Sequence, residues 1–251
     1  MTEEPDRTPT GTSPGPTESA MPQKRLKLYS EAIYPLSILL IAIAVAMTVT
    51  ADFGISVIVA PAYLVSQKFP WLTFGQSEYI LQGVLFIIFC VAVRRVRWVY
   101  LSSFLTCLIY GVVLDAVQSI PFFDAAVTPP ESIPTVARVL LLAGGMILTS
   151  FSIALFFQVY LYPQVYDFFV KGVADRYRLN RARFKTGFDL ICLVISVVLS
   201  LSFFGKPVGI HFGTALMALC NGGLIGLFSK LFDRTIEVVP LFPRFAEKFE
   251  I

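Results

Sequence analysis

The sequence predicts an all-α fold, a polytopic membrane bundle of about six transmembrane helices. Composition is the first observation. Of 251 residues, 56% are hydrophobic and 15% charged, with a mean hydropathy of +0.73. A soluble domain is typically about 45–50% apolar and about 25% charged. The second observation is six apolar runs of 14 to 25 residues, on average close to the roughly 20 that cross a bilayer. The third is the placement of the basic residues, which cluster beside those runs. Together these exclude a soluble enzyme, a disordered chain and a nucleic-acid binder.

Residues 1–28 are read as a disordered cytoplasmic tail, because Met1–Gln23 is rich in Pro, Thr, Ser, Gly and Glu and has no apolar run. The first span, Ile33–Thr50, is read as uncleaved, since no apolar stretch opens the chain. The apolar part of the next segment, Ile55–Val65, is too short to cross and carries Pro61, which breaks or kinks a helix. It is expected to be re-entrant or interfacial. Further spans are expected over Ile80–Val93, Val99–Ile120, Val136–Tyr160, Phe188–Phe204 and Ile210–Phe232. Residues 161–186 read as a basic, partly amphipathic stretch. The membrane domain is thus 29–235, followed by a cytoplasmic tail over 236–251.

Lys24, Arg25 and Lys27, then Arg94, Arg95 and Arg97, then six basic residues between Lys171 and Lys185 all fall on one side of this arrangement. With both termini cytoplasmic, 17 Lys and Arg lie inside and three (Lys68, Arg138, Lys206) outside. The positive-inside rule selects that orientation. Trp98 and Tyr100 supply interfacial aromatics.

Three spans followed by three invite a search for duplication. An offset of 111 carries Glu78 onto Asp189, Ile80 onto Ile191, Ser103 onto Thr214, Leu105 onto Leu216, Leu108 onto Leu219 and Gly111 onto Gly222. Each half also has an irregular, proline-bearing segment after its first span, at Pro61–Tyr63 and Tyr162–Asp167. An odd number of spans per half forces opposite orientations, giving an inverted 3+3 repeat. Broken segments at matching positions of such repeats are typical of solute transporters.

Charged groups in spans are costly and usually paired or functional. The candidate solute or ion site comprises Asp52, Pro61, Tyr63, Glu78, Gln82, Asp115, Asp189 and Asn221. Glu78 and Gln82 share a helix face at i, i+4. Asp52 reads equally as an interfacial cap, and Glu78 and Asp189 as N-terminal carboxylates favoured by the helix dipole. Asn221 is either helix glue or a cavity residue. Gly144, Gly145, Gly222, Gly223 and Gly226 are expected to let helices pack closely. His211 is the single histidine, and Cys90, Cys107, Cys192 and Cys220 lie in apolar runs without metal spacing. No P-loop, zincin or nucleophile-elbow motif is present. No catalytic, metal or cofactor site is expected, and the chain is read as non-enzymatic.

At Ala51–Gly54 (ADFG), Ala60–Tyr63 (APAY), Glu78–Gly83 (EYILQG) and Tyr110–Asp115 (YGVVLD) the sequence resembles the YczE/YyaS/YitT-type bacterial membrane proteins, in a branch of unknown function. The resemblance covers roughly residues 30–235. It implies a multi-pass inner-membrane protein and supplies no substrate. Longer YitT-type members carry a soluble C-terminal domain that is not expected here. The sequence therefore leads to a small-solute transporter or permease. The alternative is a non-transporting accessory protein, or a solute-binding subunit of a larger complex. Expected partners are the lipid bilayer, an unknown small solute, and a second copy or another protein at the basic 171–185 loop.

Overall fold

In the computed structural model the described residues are 26–94, 100–161 and 164–243. They form eight α-helices: α1 (Ser30–Ala51), α2 (Ala60–Lys68), α3 (Phe74–Val93), α4 (Tyr100–Gln118), α5 (Thr135–Phe156), α6 (Val165–Arg176), α7 (Arg181–Phe204) and α8 (Phe212–Thr235). All but α2 and α6 are long and apolar enough to cross a membrane, so the chain is a six-span helical membrane bundle. Two short strands, β1 (Leu26–Tyr29) and β2 (Ile236–Val239), pair in parallel beside it. β1 straddles the boundary expected at 28/29, and β2 begins at the one expected at 235/236. The tail before residue 26, Arg95, Arg97 and Trp98, Tyr162 and Pro163, and Arg244 and Lys248 lie outside the described residues.

The expected spans are all present, with shifted ends. α3 starts six residues before Ile80 because Thr73 and Gln76 form a capping box, each side chain bonding the other residue's backbone N–H. α7 starts seven residues before Phe188. Asn180 caps it by accepting the Arg183 N–H, so the basic segment forms its first turns. α5 stops at Phe156, short of the expected Tyr160. These shifts move Glu78 and Asp189 away from the helix N-termini and into the helix bodies. They are not first-turn carboxylates favoured by the dipole.

The helix pairing follows the repeat. α1 packs on α5 at the centre, α1 on α4 as α5 on α8, α2 on α3 as α6 on α7, and crosswise α3 on α6 as α7 on α2. α1 and α5 run antiparallel: Glu31 at the start of α1 reaches Tyr160 beyond the end of α5, and Arg138 near the start of α5 reaches Ala51 at the end of α1. Their crossing is close because Gly145 faces Thr48 and the Ala44 carbonyl, where a Cβ would lie 2.6 and 2.9 Å away. The αL caps Arg94 after α3 and Gly205 after α7 fall on the same offset of 111. One pairing breaks the symmetry. α3 and α4 pack tightly, Gly75 against the Gly111 carbonyl, whereas α7 and α8 do not pack along their lengths. The close packing expected of Gly222, Gly223 and Gly226 is therefore not met among the described residues, where a Cβ at any of them meets nothing within 4 Å.

The irregular segments form the short helices α2 and α6, packed against the spans rather than crossing alongside them. α2 begins at a groove between α3 and α7 that Pro61, Leu85 and Cys192 all line. It ends at Lys68, whose Nζ donates to the Phe203 carbonyl at the end of α7 (3.3 Å). α6 begins at the Gln82 side chain, the ninth residue of the 20-residue α3. That is about 12 Å along a helix of about 30 Å. It ends where the Tyr177 hydroxyl donates to the Ala92 carbonyl (2.7 Å) at the other end of α3. Residues 171–185 are accordingly no open loop. They are the end of α6, a short link and the start of α7.

Candidate functional site

The N-terminus of α6 meets α3 in a polar cluster buried among apolar helices. Glu78 and Gln82 are fully buried, and Tyr166 and Gln164 nearly so. Gln82 is the node. Its Oε1 accepts the Val165 backbone N–H (3.1 Å), its Nε2 donates to Glu78 Oε2 (3.1 Å), and Nε2 also approaches Gln164 Oε1 (3.5 Å). The Tyr166 hydroxyl donates to the same Glu78 oxygen (3.2 Å). Among the described residues, Glu78 Oε1 and Gln164 Nε2 have no hydrogen-bond partner. Among the described residues no Lys, Arg or His pairs with Glu78.

Local sequence explains the arrangement. Residues four apart on α3 share a face, so Glu78 and Gln82 point together toward α6. Gln164 stands at the N-cap of α6 without capping it, which leaves its amide free for α3. The buried Val165 N–H, one of the orphan donors of a helix start, is satisfied by the Gln82 amide instead.

Beside this cluster lies a cavity of about 280 Å³ between the two halves. Apolar side chains of α1 and α5, such as Ile41, Val45, Ile153 and Phe156, form most of its wall. Gln164, Tyr166, Asp167, Lys185, Thr149 and Ser56 supply its polar part. Lys185 stands between two carboxylates, 3.8 Å from Asp167 and 3.7 Å from Asp189. A second, more apolar groove of about 690 Å³ runs between α3 and α7 and shares Ile58 and Tyr166 with the cavity.

The other sequence candidates scatter. Asp189 joins the cavity region through Lys185. Pro61 lines the α3–α7 groove. Asn221 bonds Ser150 across α5 and α8 (3.5 Å), the helix-glue role. Asp52 caps α1 in the left-handed conformation (φ 50°) and pairs with Arg138 at 3.3 Å. Asp115 accepts from Thr73 Oγ1 (2.6 Å) and Gly75 N (2.7 Å), fastening the end of α4 to the start of α3. Tyr63 stacks edge-on against Phe74, their ring centroids 5.5 Å apart. These last three sit at one end of the bundle, away from Glu78.

Sequence reasoning passed over Gln164, Tyr166, Asp167 and Lys185. A signal was present. The stretch YPQVYD is irregular and matches the Pro61 segment, and the basic residues that follow it read as a surface loop.

No curated protein and no solved structure matches the chain. A family profile does, over residues 28–230. That span takes in all eight helices but the last turn of α8, and every residue of the buried cluster. The chain belongs to the family of unknown function DUF6198.

Proposed function

We propose that the protein is a small-solute transporter of the cell membrane, with both termini cytoplasmic and no enzymatic role. The observation that carries this reading is the pair of inverted half-helices, α2 and α6, entering the bundle from opposite ends beside the cavity between the repeats. Half-helices starting at mid-membrane leave backbone N–H groups that only protein or a wet cavity satisfies. In transporters of inverted repeats such termini frame the solute site. The finer resemblance to YczE/YyaS/YitT-type proteins agrees with this placement.

Glu78 is the group that couples the solute to a second species. A lone carboxylate without a cation is costly in hydrocarbon, so it holds a proton in one state and releases it in another. Its bonds to Gln82 and Tyr166 tie that exchange to the position of α6. The test is solute-evoked proton movement in proteoliposomes holding a pH-sensitive dye, challenged with a panel of amino acids, monocarboxylates and amines. Wild type is expected to respond to one class, and Glu78→Gln to lose the response. A wild type silent across the panel, with the same proton leak as Glu78→Gln, overturns the reading.

A further inference from the structure

We propose that the groove between α3 and α7 holds an acyl chain of an anionic phospholipid from the surrounding bilayer, with Arg183 at its headgroup. The site needs the six-span bundle and not the transport reading. The groove exists because α3 and α7 do not pack along their lengths; α2 and α6 lie between them, each touching both. Val84 and Ile88 of α3 form one wall, and Phe184, Phe188, Ile191 and Ile195 of α7 the other. Steps of three and four residues make each wall a continuous apolar stripe. Ile58, Pro61, Tyr166 and Phe169 line the groove from the segments between. Val84, Ile88 and Ile191 keep half or more of their surface uncovered. Gly187 also lines the groove, and a Cβ there meets nothing within 4 Å. The space of about 690 Å³ is thus open and apolar, and hydrocarbon that fills it recovers the dispersion contacts a void forfeits.

Charge selects the lipid. Among the described residues Arg183 is the one charged side chain that lines the groove. It opens the stretch of α7 that is apolar enough to cross a membrane, Arg183–Phe204, which is where headgroups lie. Its basic neighbours are occupied: Arg181 holds Asp175 at 2.7 Å, and Lys185 stands between Asp167 and Asp189. Arg183 is exposed and, among the described residues, pairs with no carboxylate. From Asp167 to Asp189 six Lys and Arg stand against three Asp, so the local field favours an anion. A guanidinium fork matches a phosphate, and basic pockets between spans suit anionic headgroups. Depth agrees as well. Arg183 and Cys192, both in the lining, are nine residues apart on α7. That is about 14 Å along the axis, close to half of a hydrocarbon core about 30 Å thick. A lipid of one leaflet therefore reaches from Arg183 to the level of Cys192. Tyr166, which also lines the groove, donates to Glu78 (3.2 Å), so the chain packs on a member of the buried cluster.

The test is native mass spectrometry of the delipidated full-length protein in a neutral detergent. Dioleoylphosphatidylglycerol and dioleoylphosphatidylcholine are titrated separately, and sn-glycerol 3-phosphate serves as a headgroup without a tail. The first phosphatidylglycerol adduct is expected to form about tenfold or more tighter than the phosphatidylcholine one, the gain of one charge-assisted hydrogen bond. Arg183→Gln should abolish that preference and leave phosphatidylcholine unchanged. Gly187→Leu places a side chain in the open groove while keeping Arg183, and should weaken the phosphatidylglycerol adduct by a similar factor. Unchanged thermal unfolding checks the fold of both variants, and the lipid series on wild type decides the matter if either misfolds. Equal affinity of wild type for the two lipids overturns the proposal. So does sn-glycerol 3-phosphate binding as tightly as the lipid, which would make the ligand a free phosphate. Unchanged phosphatidylglycerol affinity in either folded variant places the lipid elsewhere and also overturns it. A dimer of the chain that Gly187→Leu dissolves assigns the groove to a second copy instead.

Discussion

Replacing Gln82 with Leu tests whether α6 is anchored at mid-membrane by a side chain of α3. The substitution keeps the volume and removes two buried bonds at once. The Val165 N–H loses its acceptor at 3.1 Å, and Glu78 loses a donor at 3.1 Å. An orphaned buried N–H costs about 1–3 kcal/mol. An interhelical side-chain bond in a membrane protein averages about 0.6 kcal/mol and reaches about 1.7. The sum is a loss of about 2–4 kcal/mol. Reversible unfolding in mixed micelles, titrated with sodium dodecyl sulfate, measures it, and hydrogen exchange localises it. The first turn of α6 should lose protection while α1 and α5 keep theirs. A loss below about 0.5 kcal/mol, or exchange rising evenly through the bundle, refutes the anchoring of α6 by Gln82.

Gly75→Ala drives a methyl into the Gly111 carbonyl and should cost about 1–3 kcal/mol or more in the same assay; Gly222→Ala, which meets nothing within 4 Å, should change stability by less than about 0.5 kcal/mol. Arg138→Lys should cost about 1 kcal/mol, because the fork that donates to Ala51 O (2.8 Å) and Asp52 (3.3 Å) while lying 4.5 Å from the Phe53 ring centroid is lost. The Tyr160 phenol is pushed up to about 12, first by burial and then by its bond to the Glu31 carboxylate. Since the folded value lies above the unfolded one, its contribution is complete below the ordinary value of 10.0 and is lost as pH rises toward 12. Alkaline unfolding of wild type should fall more steeply across that window than that of Tyr160→Phe.

The six spans were legible because hydropathy over about 20 residues reports directly on burial in lipid. The ends were less so. α3 begins at a capping box and α7 at an Asn cap, and local hydrogen bonds of this kind extend a helix past the apolar run. The repeat was legible through Glu78 and Asp189, but its best witnesses are features of the backbone. Gly205 carries the usual residue signature of a left-handed cap, but Arg94, its match in the other half, and the crosswise contacts of α2 and α6 do not. Within the site, Glu78 and Gln82 were visible from their spacing alone. Gln164 and Tyr166 were not, because they meet α3 only at sequence separations of 82 and 88. Asp52 and Asp115 share with Glu78 a place near an apolar run. What distinguishes them is the donors they meet, Arg138 for one and Thr73 with Gly75 for the other.

The pairing of β1 with β2, in register from Leu26↔Ile236 to Tyr29↔Val239, brings the two extremities of the membrane unit side by side. Glu31 reinforces it by accepting the Leu241 and Phe242 N–H groups. The fold is in effect a ring nicked at one point. A linker of about a dozen residues, the usual length of a parallel crossover, would rejoin Val239 to Leu26. A new opening in the exposed connection over 119–134 would then leave every helix contact intact. A chain permuted at these two points is expected to build the same bundle, because the ladder already holds its new junction together.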